Sequence, residues 1–289
     1  MAYPQVSGPY GLKPVNLIGG RVYAGSTRMF PIVNGYSTSL FNGDVVQLGT
    51  GANIGCLVAS TLAYNASSAV AGTIGVFQGA SYSTTGGPIY GKNRYQFWNA
   101  STSAPDAIGY VVDDPQVVFQ SAIVVNPAGT GGSTTIAYAN QAFVGSNAYY
   151  IGAASGNTGS TTTGDSLAGV AISASGTVST PITTSAPFRI VGVVPASAFT
   201  VAANATSSST TITLSSSNSA IVPGMAVAGP GINPGSNTYV TAVSGTSVTI
   251  NNAVTTAQST ATQFSFTGYP EVLVAWNAGY HSYNNATGV

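Results

Sequence analysis

Charge is what this sequence most lacks. Only 4% of its 289 residues are Asp, Glu, Lys or Arg, six acids and six bases, where an ordinary soluble chain carries about a quarter. One histidine and one cysteine complete the reactive inventory. With so few groups able to move protons, hold a hard metal or grip phosphate, enzyme chemistry is not expected and no cofactor is implied. A single cysteine, Cys56, forbids an internal disulfide. Zero net charge and the lack of any Lys/Arg run remove the electrostatic footprint of a nucleic-acid binder. No apolar run approaches the roughly 18 residues of a membrane span. The start Met1-Ala2-Tyr3-Pro4-Gln5 lacks the basic and apolar segments of a secretory signal, so synthesis in the cytosol is expected.

Apolar side chains replace the missing charge. They make up 44% of the chain, with 10% aromatic, enough to offset the ordering entropy of a packed core. At 28.8 kDa the chain buries about 70–75% of its unfolded surface. A neutral surface has little self-repulsion and tends to associate, so much of it is expected to be interface.

Short β-branched and aromatic runs closed by Gly, Asn, Pro or Ser recur along the chain, as in Asp44–Gly49 and Gly72–Gly79. Further candidates are 108–112, 117–125, 135–139, 147–151, 167–172, 187–194 and 271–276. Leu, Glu, Lys and Arg, which favour helices, are scarce. The expectation is an all-β fold with a barrel or sandwich body. Residues 1–40 are dense in Pro and Gly, and are expected to form an extended arm. Lys13, Arg21 and Arg28 lie there beside Tyr3, Tyr10 and Tyr23. Such an arm is either a solvated tail or, as Tyr and Arg favour, a contact on a neighbouring subunit.

From Ile190 to Pro270 there is no charged residue. Within that stretch, 204–266 is expected to be a separate small β-sandwich. Thr-Ile-Thr-Leu at 211–214 and Val-Thr-Ile at 248–250 alternate with the period of half-buried strands, and a tight hairpin is expected around Ser244-Gly245. The remaining 41–203 and 267–289 then form the body.

Candidate chemistry is sparse. Asp113-Asp114-Pro115 is the only adjacent acid pair, but calcium needs six to eight oxygens, and a strand-ending turn explains it better. His281 has no nucleophile motif to serve and sits in the aromatic, amide-rich tail with Tyr280 and Tyr283, where a contact role is expected. Trp98 and Trp276, with Tyr90, Tyr95 and Phe97, have rings able to stack on sugars, but core packing is commoner. A depolymerase needs a carboxylate pair across a cleft. Asp106, Asp113 and Asp114 are the only acids close in sequence.

The segments Ser7–Gly20, Ala24–Arg28, Pro31–Tyr36, Phe41–Val46, Gly75–Phe77, Tyr110–Pro115, Pro187–Gly192 and Tyr269–Val274, with Thr287–Val289, together resemble a group of small structural proteins of tailed bacteriophages of aquatic bacteria. The resemblance covers most of 7–195 and 268–289. It implies a virion component, a decoration or cement protein bound outside an HK97-like icosahedral shell, with the major capsid protein and itself as partners. A homotrimer is expected, with a dimer as the fallback. In shorter relatives the Arg-Ile-Val-Gly strand runs almost directly into Tyr-Pro-Glu-Val, and here 204–266 stands between them. That insert resembles the Ig-like repeats of phage surface proteins through Ile221–Met225 and Gly229–Ile232. The alternative is a tail or host-attachment protein that binds cell-surface glycan through 204–266. The arm 3–30 and the tail 277–289 carry bases and aromatics and lie outside the expected strands, so the interface residues expected from the sequence are Tyr3, Tyr10, Lys13, Arg21, Tyr23, Arg28, Tyr280, His281 and Tyr283.

Overall fold

The computed structural model describes residues 8–64, 68–83, 92–124, 141–155, 158–172, 181–194, 199–223, 225–233, 238–266 and 269–285. Among them the regular structure is strand, broken only by single turns of 3₁₀ helix. The first part of the chain supplies β1 (Leu12–Leu17), β2 (Arg28–Pro31), β3 (Val45–Leu48), β4 (Leu57–Ala59), β5 (Thr73–Tyr82), β6 (Asn93–Tyr95), β7 (Ile108–Val112) and β8 (Val117–Ala122). Then come β9 (Asn147–Ile151), β10 (Gly169–Ala171) and β11 (Phe188–Val193). A third group follows, β12 (Phe199–Ala205), β13 (Thr211–Leu214), β14 (Val227–Ala228), β15 (Val240–Ser244), β16 (Ser247–Ile250) and β17 (Gln258–Phe266), before β18 (Glu271–Trp276) returns to the body. The candidate at 135–139 and the proposed contact Tyr3 lie outside the described residues.

Two sheets make the body. The first runs β1-β8-β18-β11-β9-β10, and a bridge from Ile123 to Val170 brings its last strand back beside β8. The second runs β2-β7-β5-β3-β4 with β6 beside β5, and a bridge from Ile32 to Leu57 joins its edges into a ring. Buried residues alternate between two cores: Val46, Phe77 and Val111 fill the ring, while Val45, Val76 and Val112 face the first sheet and pack with Phe119, Phe188 and Trp276. A sheet covered on both faces needs apolar side chains at successive positions. That is why β5 is buried almost end to end and lacks a simple alternation.

The expected N-terminal arm is corrected by these pairings. β1 lies antiparallel on β8, β2 lies antiparallel on β7, and Leu12, Ile32 and Leu40 are core residues. Pro14 and Pro31 fit because both strands are edges of their ladders, where a missing N–H can face away from the partner. A backbone crossing anchors the segment. Gly11 and Gly43 both have positive φ, +77° and +94°, and a Cβ built on Gly11 would stand 2.6 Å from Gly43 Cα. Only glycine lets the two chains approach this closely, and Leu12 N donates to Gly43 O at 3.0 Å across the gap.

The third sheet spans 199–266 and runs β14-β17-β12-β13-β16-β15. Val227 N donates to Thr238 O and Val240 N to Met225 O, both at 2.8 Å, so its two edge strands meet. The small sandwich expected at 204–266 is therefore one closed ring around Ile212, Leu214, Val248, Ile250, Phe264 and Phe266, and it begins five residues earlier, at Phe199. Thr211 and Thr213 alternate with the buried Ile212 and Leu214. Gly245, at φ +59°, opens the two-residue turn joining β15 to β16. Since β11 pairs with β18 and β12 pairs with β17, the module leaves and re-enters the body through one hairpin. Ala228 packs it against Tyr269, Ala122 and Tyr149 of the body.

Candidate functional site

The residues singled out from the sequence fall into three groups. Arg28, His281 and Tyr283 come together with Asp113. Arg28 Nη1 donates to the Tyr283 hydroxyl, which donates to Asp113 Oδ2 at 2.6 Å, and Arg28 stands 3.4 Å from the same carboxylate oxygen. The Arg28 guanidinium also lies over the Phe30 ring. His281 is fully buried, its Nδ1 accepts from Tyr283 N at 3.3 Å, and its ring meets Trp276 and Tyr283 edge to face. Burial holds its pKa below the ordinary value, although the Ile74 backbone and Asp113 and Asp114 pull the other way. The enclosed imidazole packs the tail onto the body through Trp276 and Tyr283.

Tyr10 and Lys13 form the second group, with Glu271. Tyr10 donates its hydroxyl to Glu271 Oε1, which also accepts from Gln120 Nε2 at 2.8 Å. Burial, then the hydrogen bond to Glu271, raises the Tyr10 pKa. Lys13 Nζ sits 4.2 Å from the centre of the Tyr10 ring. These residues line one wall of a cleft of about 650 Å³ whose other wall includes Ser160, Thr163 and Asp165. Asp165 in turn accepts from Gln96 Nε2 at 2.9 Å. The separation of Tyr10 and Glu271 along the chain, 261 residues, hides this cleft from sequence reasoning.

The remaining candidates are dispersed. Arg21 donates to Gln116 Oε1 at 2.7 Å, Tyr23 donates to Ser26 O at 2.7 Å and packs on the main core, and Tyr280 is buried with its hydroxyl 3.0 Å from Ser185 Oγ. Trp98 and Trp276 are both buried, Tyr95 stacks on Tyr82 and Phe97 on Phe41, which makes them packing groups and not a sugar platform. Tyr90 lies outside the described residues. Asp114 caps the turn through Gln116 N at 2.8 Å. No group of three metal-ligating side chains occurs among the described residues.

Sequence reasoning missed Asp44. It is 5% exposed between the two body sheets, with Ser166 Oγ donating to Oδ1 at 2.5 Å and Phe41 N donating to Oδ2 at 2.9 Å. Beside it, the Tyr150 hydroxyl accepts from Val45 N at 3.1 Å. Burial raises its pKa to about 7 against the two hydrogen bonds. The only signal in the sequence was an acid placed directly before the buried pair Val45-Val46 that opens a strand.

The six acids share one property. Asp44 is bonded inside, Asp106 holds Ser83 and Lys92, Asp113 holds Arg28 and Tyr283, Asp114 caps a turn, Asp165 holds Gln96, and Glu271 holds Tyr10 and Gln120. Four bases, Lys13, Arg21, Arg94 and Arg189, have no carboxylate partner among the described residues, and all four are exposed, Arg94 lying over the Tyr110 ring of the second sheet. Lys13 and Arg189 lie on β1 and β11 of the first sheet, on whose outward face Val15, Ile18 and Val191 are 40%, 48% and 41% exposed. Ile18 and Val191 line two adjoining hollows on that face, one of which also contains Leu273 and the other Arg189. This apolar face with a basic rim is the candidate functional surface. Comparison with protein-family models, with curated proteins and with solved structures found no match to this chain.

Proposed function

We propose that this chain is a structural component of a virus particle, a decoration protein that binds the outer surface of an icosahedral phage shell and stabilises the joints between capsomers. The observation that carries the reading is the pairing of a chemically quiet molecule with an open, largely apolar sheet face. Each of its six acids has a partner within the chain, its one histidine is enclosed, and both tryptophans are packed inside. Such a molecule is equipped to add contact area. A patch on the order of 800 Å² per partner is the size a specific contact needs, and many copies on one shell resist internal pressure together through avidity. The resemblance to phage structural proteins supports the same role.

In this reading the major capsid protein is the partner, the location is the outer capsid surface, and the protein carries no catalytic activity. It acts as a homotrimer with a dimer as the fallback, which light scattering on the free protein distinguishes. The deciding experiment is the copy number of the chain per purified particle, by quantitative mass spectrometry against the major capsid protein. A ratio near one per capsid subunit, or a simple fraction of it, is expected. A ratio of a few per hundred overturns shell decoration and places the chain in the tail, with host glycan as its target.

A further inference from the structure

We infer that the outward face of the β1-β8-β18-β11 sheet is a docking surface for a different protein, one that presents an apolar ridge flanked by carboxylates, and is not a contact between copies of this chain. The inference rests on the decoration reading and names the side of the molecule that meets the shell.

Register places the face. Lys13 of β1, Gln120 of β8 and Leu273 of β18 share one row across the sheet, and Leu273 lies opposite Gly192 of β11. Arg189 lies further along β11, opposite Ala275. Lys13 and Arg189 therefore bracket an apolar centre of Val15, Ile18, Val191 and Leu273. The other side of the same strands is core, where Phe119, Val272, Val274 and Phe188 are buried. An apolar centre within a charged rim is the arrangement found at protein interfaces.

Charge complementarity selects the occupant. A second copy turned onto this face would bring Lys13 and Arg189 against bases of the same kind. The carboxylate beside Lys13, Glu271, is 5% exposed and already holds Tyr10 and Gln120, so a copy turned face to face presents no open acid there. Unpaired like charges at a rim disfavour a partner and opposite charges select one. The partner must bring its own Asp or Glu.

The test uses whole particles. Treatment with a water-soluble carbodiimide joins an amine to a carboxylate in contact with it, and peptide mass spectrometry then identifies the pair. Lys13 is expected to be joined to an Asp or Glu of another virion protein. Particles assembled with the double variant Lys13→Glu, Arg189→Glu are expected to hold about tenfold fewer copies, as two reversed rim charges would produce. Its free form should melt as the parent does, since both side chains are exposed. Should the variant misfold, the cross-link in parent particles decides alone. Full occupancy by a folded variant, or a Lys13 joined to no foreign carboxylate, overturns the assignment of this face while leaving shell decoration intact. Parent particles that hold no copies overturn the decoration reading itself.

Discussion

A carboxyl group shut between two apolar cores must be neutral or be held by donors, and Asp44 is caught between these outcomes. Its pKa is raised from 3.8 to about 7 in the fold. Between those values the folded chain keeps the proton that the unfolded chain has released, so stability falls as pH rises through this window and is level above it. Three units correspond to roughly 4 kcal/mol by linkage, as an order of magnitude. Denaturant midpoints measured from pH 4.5 to 8 should decline toward neutrality, and Asp44→Asn, which keeps the shape and removes the titration, should flatten the curve. His281 acts in the opposite sense. With its folded pKa lowered by burial, it contributes stability above about pH 6.5 that is lost as pH falls, so an acid limb should survive in Asp44→Asn. Arg28 and Asp113, at 59% and 19% side-chain exposure, form the usual surface pair, worth at most about 1 kcal/mol.

Among the elements, β1 changes most between sequence and structure. Its Pro and Gly content reads as a loose arm, yet the Gly11–Gly43 crossing holds it on the body and Leu12 fills the core. Gly43→Ala forces a side chain into a left-handed backbone position and against the Tyr10 carbonyl, 2.7 Å from the added Cβ. A loss on the order of 3 kcal/mol is expected, read as a lower urea midpoint with unchanged slope. Removing residues 1–20 should be more severe, because it strips a whole strand from the first sheet. A truncated chain that melts like the parent would show that the crossing carries no stability.

For the molecule as a whole, the 199–266 ring is the separable part. Its core is its own, it joins the body through the paired strands β11 and β18, and Ala228 is its residue in the body's apolar clusters. Deleting 199–266 and closing the gap with a short turn should leave a body that melts cooperatively, since loop closure costs little when the ends are already adjacent. In particles, the shortened chain should reach full occupancy, because the face around Val191 and Lys13 lies on the body. Loss of occupancy with the body still folded would make the ring part of the shell contact.

The scarcity of charge, the β-branched runs and the turn residues between them were legible directly, because strand propensity and turn geometry are local. β7, β9, β16 and β18 stand where those runs begin and end, and the Thr-Ile-Thr-Leu alternation was enough to call one buried face. Pairing is not local. Nothing near Pro14 in the chain tells that β8, a hundred residues on, will give it an edge to lie on, and nothing near Glu271 tells that Tyr10 will bond it. The sequence by itself determined an all-β molecule with little chemistry to offer. Only the tertiary structure decided that the arm is part of the body, that the insert closes into a ring, and that Asp44 and Glu271 are buried on internal partners. Those outcomes depend on which distant strands meet, and burial selects that over the whole chain at once.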